Sequence, residues 1–289
     1  MPVLYEKRNH VGWLTLSRPQ ARNCWGEDFN EEIAQRCDEM ATDDEVRVVV
    51  LTGDEAGGAF SAGANLKDPR THTQASMADF IAGLPQRRRT AGQVLSEFPK
   101  PVIAAVNGYA VGIGCIVTYC CDLIIASDRA EWRLPQVALG ILPNHGGIVR
   151  LARWVGKGQA MKVAMGYPMK AEEAFRFGLA QWLVPHAEFR AQTTEIAERL
   201  AELPPLASRL AKESLNRGLD MPNVADAAYL DLYRFMALSM TEDAKAITPG
   251  GSGAAQRSAA LDRTGTGFGL GLELRPARER EKRDDHLYL

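Results

Sequence analysis

The sequence predicts an α/β protein, and three observations carry that reading. The runs "VRVVVLTG" (46–53), "PVIAAVNG" (101–108) and "CDLIIAS" (121–127) are apolar without alternation, the pattern of strands covered on both faces. Stretches with helical spacing separate these runs. From Lys157 onward strand signals nearly vanish and helical periodicity takes over, so a helical region follows the α/β core.

Each element has its own reason. "VGWLTLSRP" (11–19) reads as a strand stopped by Pro19, which has no N–H to pair. "DFNEEIAQRCDEMATDDE" (28–45) spaces Phe29, Ile33, Cys37 and Met40 along one helix face. The strand 46–53 ends on glycine and leads into "GGAFSAGANLKD" (57–68), a loop of small residues. Between the next two strands, "VGIGCIVTYCC" (111–121) is long enough for a short helix. "PNHGGIVRLARWVG" (143–156) reads as a helix start, with Asn144 as N-cap and Ile148, Leu151 and Ala152 on one face. "AEEAFRFGLA" (171–180), "AEFRAQTTEIAERLAEL" (187–203) and "PLASRLAKESLNRGL" (205–219) continue as helices. "TPGGSGAAQRS" (248–258) is a cluster of helix breakers. The expected organisation is an α/β core over 1–185, a helical region over 186–246 and a loosely ordered tail over 247–289.

Bulk properties exclude several classes. A net charge of −2 over 289 residues gives no electrostatic footprint for nucleic acid. The Arg87-Arg88-Arg89 cluster is short and reads as a solvated helix face. No apolar run reaches the roughly 20 residues that span a bilayer, and no charged segment followed by an apolar one marks a secretory leader. Five cysteines (Cys24, Cys37, Cys115, Cys120 and Cys121) sit among apolar residues, as reduced buried thiols of a cytoplasmic protein do. Their spacing is not that of a metal site. Neither "GGAFSAGANLKD" nor "GIGCIV" completes the Gly-x-Gly-x-x-Gly dinucleotide fingerprint. Each could be a tight turn. As two small-residue loops after two buried strands, they could also present two backbone amides to one oxyanion.

"RPQARNCW", "GGAFSAGANLKD", "PKPVIAAVNGYAVGIGC", "CDLIIAS", "LPQVALGILPNHGGIVRLARWVG" and "AEEAFRFGLAQWLVP" follow one another in an order and spacing that resemble the enoyl-CoA hydratase/isomerase, or crotonase, family over roughly residues 3–245. The resemblance implies a crotonase-like spiral of ββα units with a C-terminal helical trimerisation region, giving a homotrimer or a dimer of trimers. It implies a coenzyme A thioester as ligand, with no separate cofactor or metal, and an oxyanion hole for the thioester enolate. The matching donors are the backbone N–H groups of Ala64 and Ile113. Arg22, Cys24, Ala62, Asn65, Leu66, Lys67, Gly114 and Ile116 fall where the family contacts substrate and coenzyme A.

The resemblance also implies a departure. Hydratases of the family carry one glutamate after the "GGGC"-type segment and another in a "PE" dipeptide. Those positions are Ile116 and Gln136 here. Isoleucine cannot move a proton and glutamine does not usefully do so near neutral pH, so two-carboxylate hydration is not expected. His145, in "PNHGG", falls where members with other chemistry place an acid. It is either the acid/base of the site, with Gln136 orienting substrate or water, or a capping and packing histidine. His10, His72, His186 and His286 are less well placed. The expected activity is a lyase, isomerase or C–C hydrolase reaction on an acyl-CoA. The alternatives are a non-catalytic acyl-CoA-binding protein and a hydratase with a shifted acid/base.

Overall fold

The computed structural model describes residues 2–67, 78 and 90–247. The Arg87–Arg89 cluster, His72, His286 and the tail from 248 lie outside the described residues.

Two sheets organise the core. The larger has the order β1-β2-β3-β5-β7-β10. β1 (Val3–Arg8) is antiparallel to β2 (Val11–Leu16). β3 (Val48–Gly53), β5 (Val102–Val106), β7 (Leu123–Ser127) and β10 (Trp182–Val184) run parallel to β2 and to one another. The smaller sheet has the order β4-β6-β8-β9, from β4 (Ala59–Ser61), β6 (Tyr109–Val111), β8 (Glu131–Arg133) and β9 (Met169–Lys170). Each long inner strand passes through a short turn into a strand of the small sheet: β3 into β4, β5 into β6, β7 into β8. A helix follows each pair, so the chain winds as repeated ββα units. The helices are α1 (Glu27–Ala41) after β1–β2, α2 (Ala91–Glu97), α3 (Ile113–Tyr119) and α4 (Gly147–Ala164).

Every residue of β3 and β5 is buried. Val49 and Leu51 face a core with Phe29, Ile33 and Leu95, while Val48 and Val50 face a second core with Ile103, Ile125 and Ile196. Packing on both faces is why these runs do not alternate. In α1, Phe29, Ile33, Cys37 and Met40 are all buried, as their spacing predicts.

Three local expectations differ from the structure. The helix expected at 111–121 is shorter, because residues 109–111 pair with β4 and β8, and Gly112 adopts φ +55° and ψ −116°. Asn144 is not the N-cap of α4. His145 (φ +53°) and Gly146 (φ +70°) are both left-handed, so Gly146 takes the cap position, and the Asn144 backbone carbonyl accepts from Gly147 N at 3.0 Å. Ile148, Leu151 and Ala152 do share the covered face. Finally, β9 and β10 follow Lys157, where strand signals are weak because the strands have only two and three residues.

α5 (Ala171–Arg176), α6 (Phe189–Ala201), α7 (Pro205–Gly218), α8 (Val224–Ser239) and α9 (Glu242–Ile247) complete the described chain. Met1–Asp231 form one compact unit and Leu232–Leu289 a second. Within the first, Lys212 on α7 reaches Asp122 Oδ2 at 2.7 Å and donates to the carbonyls of Lys100 and Leu95. Asp122 also accepts from Val102 N at 2.7 Å. Burial pushes the Asp122 carboxyl up, against the pull of Lys212. Among the described residues, no helix is long and apolar enough to cross a membrane.

Candidate active site

The site begins where β4 ends. Residues 62–65 run beside the strip 22–25. Ala62 N donates to Arg22 O at 3.0 Å, Trp25 N to Gly63 O at 2.7 Å, and Asn65 N to Trp25 O at 2.7 Å. This parallel bridge pairs Trp25 with Ala64. In such a pairing the hydrogen bonds of Trp25 go to residues 63 and 65, so the N–H of Ala64 turns to the opposite edge, the side of β6.

Two glycines bring the end of β6 against that edge. A Cβ on Gly63 (φ +90°) would sit 2.9 Å from the Val111 carbonyl oxygen. A Cβ on Gly114 would sit 2.6 Å from Ser61 Cβ and 3.0 Å from the Ser61 carbonyl oxygen. Gly63 meets backbone and Gly114 meets the Cβ and carbonyl of Ser61, so neither place has room for a Cβ. Sheet pairing holds as far as Gly112, whose N–H donates to Arg133 O at 2.9 Å. The first turn of α3 starts at Ile113, with Ile116 N donating to Gly112 O at 3.0 Å. The Ile113 N–H is thus one of those a helix start leaves without an intrahelical partner.

Around this pair of amides lie Ile116 and Gln136. Ile116 is wholly buried, and a Cβ on Gly147 would meet its side chain at 2.7 Å. The start of α4 therefore rests directly on Ile116. Gln136 Nε2 lies 3.3 Å from where a Gly112 Cβ would be, and its backbone carbonyl accepts from Leu139 N and Ile141 N. Its Oε1 is buried, with no hydrogen-bond partner among the described residues. His145 stands two residues before Gly147 with its side chain exposed, and its carbonyl accepts from Arg150 Nε at 3.3 Å.

The structure thus gathers Ala62, Ala64, Ile113, Gly114, Ile116 and Gln136 at the junction of β4, β6 and α3. Cys24 is buried in the adjoining strip and Arg22 is exposed there with φ +51°. Asn65 Oδ1 accepts from Lys67 N at 3.1 Å, closing the turn that exposes Leu66 and Lys67. Cys115, beside the amides, is fully buried, with Sγ 2.7 Å from Tyr119 Oη, and burial pushes its thiol up to about 12. Burial also raises the thiols of Cys120 and Cys121. These are packing residues, with the thiol form far too stable to act as nucleophiles.

Sequence reasoning missed the strip 22–25 as the partner of the 62–65 loop. It also missed Asn23, buried with φ +54°. The tolerance of asparagine for left-handed backbone was the one available signal.

Repeated ββα units wound into two sheets, with a glycine-packed junction beside a helix start, define the class of fold. The chain belongs to the enoyl-CoA hydratase/isomerase family, whose model matches residues 6–253. It is 37% identical over 246 residues to a short-chain-enoyl-CoA hydratase of Clostridium acetobutylicum, covering 84% of this chain and 91% of that one. It is 34% identical over 242 residues to the 2,3-dehydroadipyl-CoA hydratase of Escherichia coli K12, covering 83% and 91%. An enoyl-CoA hydratase structure from Bacillus anthracis matches with a TM-score of 0.77 at 28% identity, covering 91% of this chain and 97% of the other.

Proposed function

We propose that the protein is an enzyme acting on an acyl-CoA thioester, whose carbonyl oxygen sits on the N–H groups of Ala64 and Ile113. The observation that carries this reading is the pair of glycine contacts, Gly63 on Val111 and Gly114 on Ser61, which press the two amide-bearing segments together. When a proton leaves the α-carbon, or a nucleophile adds to the β-carbon, charge moves to that oxygen as the enolate. Preorganised donors stabilise such charge by about 3–4 kcal/mol each.

The proton carriers set the reaction type. Ile116 has no proton to move, and Gln136 can orient a ligand or water but not ionise usefully. Isomerisation, enolate formation or C–C hydrolysis therefore fits better than two-carboxylate hydration. His145, in the turn that rests on Ile116 through Gly147, is the acid/base of this reading. A second reading, a non-catalytic acyl-CoA-binding protein, draws on the complete burial of Ile116 and the exposure of His145. The exposed apolar side chains Leu215, Leu219 and Val224 support assembly as a trimer or dimer of trimers. The five free, buried cysteines support a reducing compartment such as the cytoplasm.

The deciding experiment measures binding and turnover together over a panel of CoA thioesters. Binding with turnover, lost in His145→Gln while binding persists, is the expected result. Binding without any turnover selects the second reading, and no binding overturns both. Light scattering showing a monomer removes the trimer.

A further inference from the structure

We infer that Asn23 is a positioning residue: its buried carboxamide fixes the strip 22–25 and, through it, the direction of the Ala64 N–H. The inference rests on the reading of Ala64 and Ile113 as donors to a thioester oxygen. Asn23 is 0% exposed. Its Oδ1 accepts from Arg18 N at 3.0 Å, which closes the loop 18–23. Its Nδ2 donates to Asp54 O at 3.0 Å and to Ala59 O at 2.8 Å. Those two carbonyls are the shoulders of the turn between β3 and β4. One side chain therefore ties the loop to both ends of the turn that leads into the oxyanion segment.

The surrounding backbone is shaped for this contact. Arg22 (φ +51°) and Asn23 (φ +54°) are consecutive non-glycine residues in the left-handed region. That conformation is unfavourable for a side-chain-bearing residue, least so for asparagine, and the three hydrogen bonds hold it. Gly57 leaves room for the carboxamide, since a Cβ there would lie 2.6 Å from Asn23 Nδ2. On either side of Asn23, Arg22 O takes the Ala62 N–H and Trp25 pairs with Ala64. A shift of the strip would rotate the Ala64 peptide with it. Arg18 clamps the far end, donating to Cys24 O at 2.6 Å and to Asp28 Oδ2 at 2.5 Å.

The test separates the oxyanion contact from general stability. Asn23→Gly keeps the left-handed backbone and removes the three side-chain bonds. Calorimetry compares butyryl-CoA with S-butyl-CoA, a thioether in which the carbonyl is replaced by methylene. Contacts to coenzyme A are shared and cancel in the ratio of affinities. Two amide donors at the net worth of ordinary hydrogen bonds predict a wild-type preference for the thioester of about thirtyfold. In Asn23→Gly the Ile113 N–H remains, and the preference is expected to fall to about fivefold. The stretching band of a ¹³C-labelled thioester carbonyl should shift less on binding to that variant than to the wild type. Lys212→Met removes a buried polar contact far from the strip and should keep the wild-type ratio. If Asn23→Gly fails to fold, Gly57→Ala displaces the same carboxamide and gives the same readout. An unchanged ratio in Asn23→Gly, or an equal collapse in Lys212→Met, overturns the role of Asn23 and leaves the donor reading standing. A wild-type ratio near one overturns both.

Discussion

Gly114→Ala places one methyl group where the two amide-bearing segments meet. Its Cβ would lie 2.6 Å from Ser61 Cβ, where ordinary contact begins at 3.4 Å, so one segment must retreat by about 0.8 Å. Rotating the Ser61 side chain gives no relief, because Cβ and the carbonyl oxygen at 3.0 Å belong to the fixed part of the residue. Overpacking costs about 1–3 kcal/mol, offset by about 1 kcal/mol of helix propensity gained on replacing glycine. Stability should therefore change by no more than about 2 kcal/mol. Function should change more, because a displacement near 1 Å at reacting groups costs about 10²-fold in rate. Calorimetric Tm and turnover on whichever thioester the panel identifies provide the assay. Gly158→Ala is the control: a Cβ there meets nothing within 4 Å, and the variant should gain about 0.5–1 kcal/mol with unchanged activity. Wild-type turnover in Gly114→Ala would refute the placement of the oxyanion hole at this junction.

Crotonyl-CoA hydration should be slow, each missing general acid/base costing about 10²–10⁴ in rate. Ile116→Glu with Gln136→Glu should raise it at the expense of Tm, since the carboxylate at 116 is pressed against Gly147, and brisk wild-type hydration would show that another group does this work. Thiol labelling at pH 8 should be limited by unfolding, because all five cysteines are buried, whereas denaturant should expose five; rapid native labelling of Cys115 contradicts its placement. Lys212→Met should cost about 3 kcal/mol near neutral pH by leaving Asp122 buried without its cation. The sign of its pH dependence follows from Asp122. A folded-state value raised above the unfolded one makes the carboxylate costly at high pH, and that cost disappears as pH falls through the interval between them. The loss in Lys212→Met should therefore shrink toward pH 5 in urea titrations, and a pH-independent loss would contradict the coupling.

The long buried strands were legible because packing on both faces leaves a continuous apolar run, as in Val48–Leu51. The helix face Phe29, Ile33, Cys37 and Met40 was legible for the complementary reason, a core on one side only. The small sheet was not. β4, β6 and β8 have three residues each, too few to show a period, and β4 and β6 lie in glycine-rich segments that read as loops. The start of α4 was misplaced because left-handed backbone at His145 leaves no mark in the sequence, so the nearest favourable cap residue, Asn144, took its place. Of the candidate site, the proposed donors Ala64 and Ile113 come from motif resemblance. Spacing alone offered only two loops after two strands. Asn23 escaped because its role lies in three bonds to distant backbone atoms, which no local pattern encodes.

The division of labour in this site has a further consequence. The donors proposed for the oxyanion are backbone groups, in segments held by the glycine contacts at 63 and 114 and by the pairing of 22–25 with 62–65. Neither feature depends on which side chain stands at 116 or 136. Positions 116 and 136, where the resemblance puts the acid/base pair, depend by contrast on side-chain identity, and one substitution changes each. A chain of this fold can therefore keep thioester recognition intact while its proton chemistry changes or disappears. Ile116 illustrates how such a change is stabilised. Its Cγ1 and Cδ1 fill the space beneath Gly147, so an apolar residue there contributes packing to the α3–α4 contact that a carboxylate would disrupt. Gln136 keeps the size of a glutamate but replaces one acceptor oxygen with an NH2 donor and carries no charge. With no carboxylate at either position, the proposed reaction takes its proton acceptor from elsewhere. The turn 143–147 bears directly on Ile116, and His145 is the titratable side chain it carries.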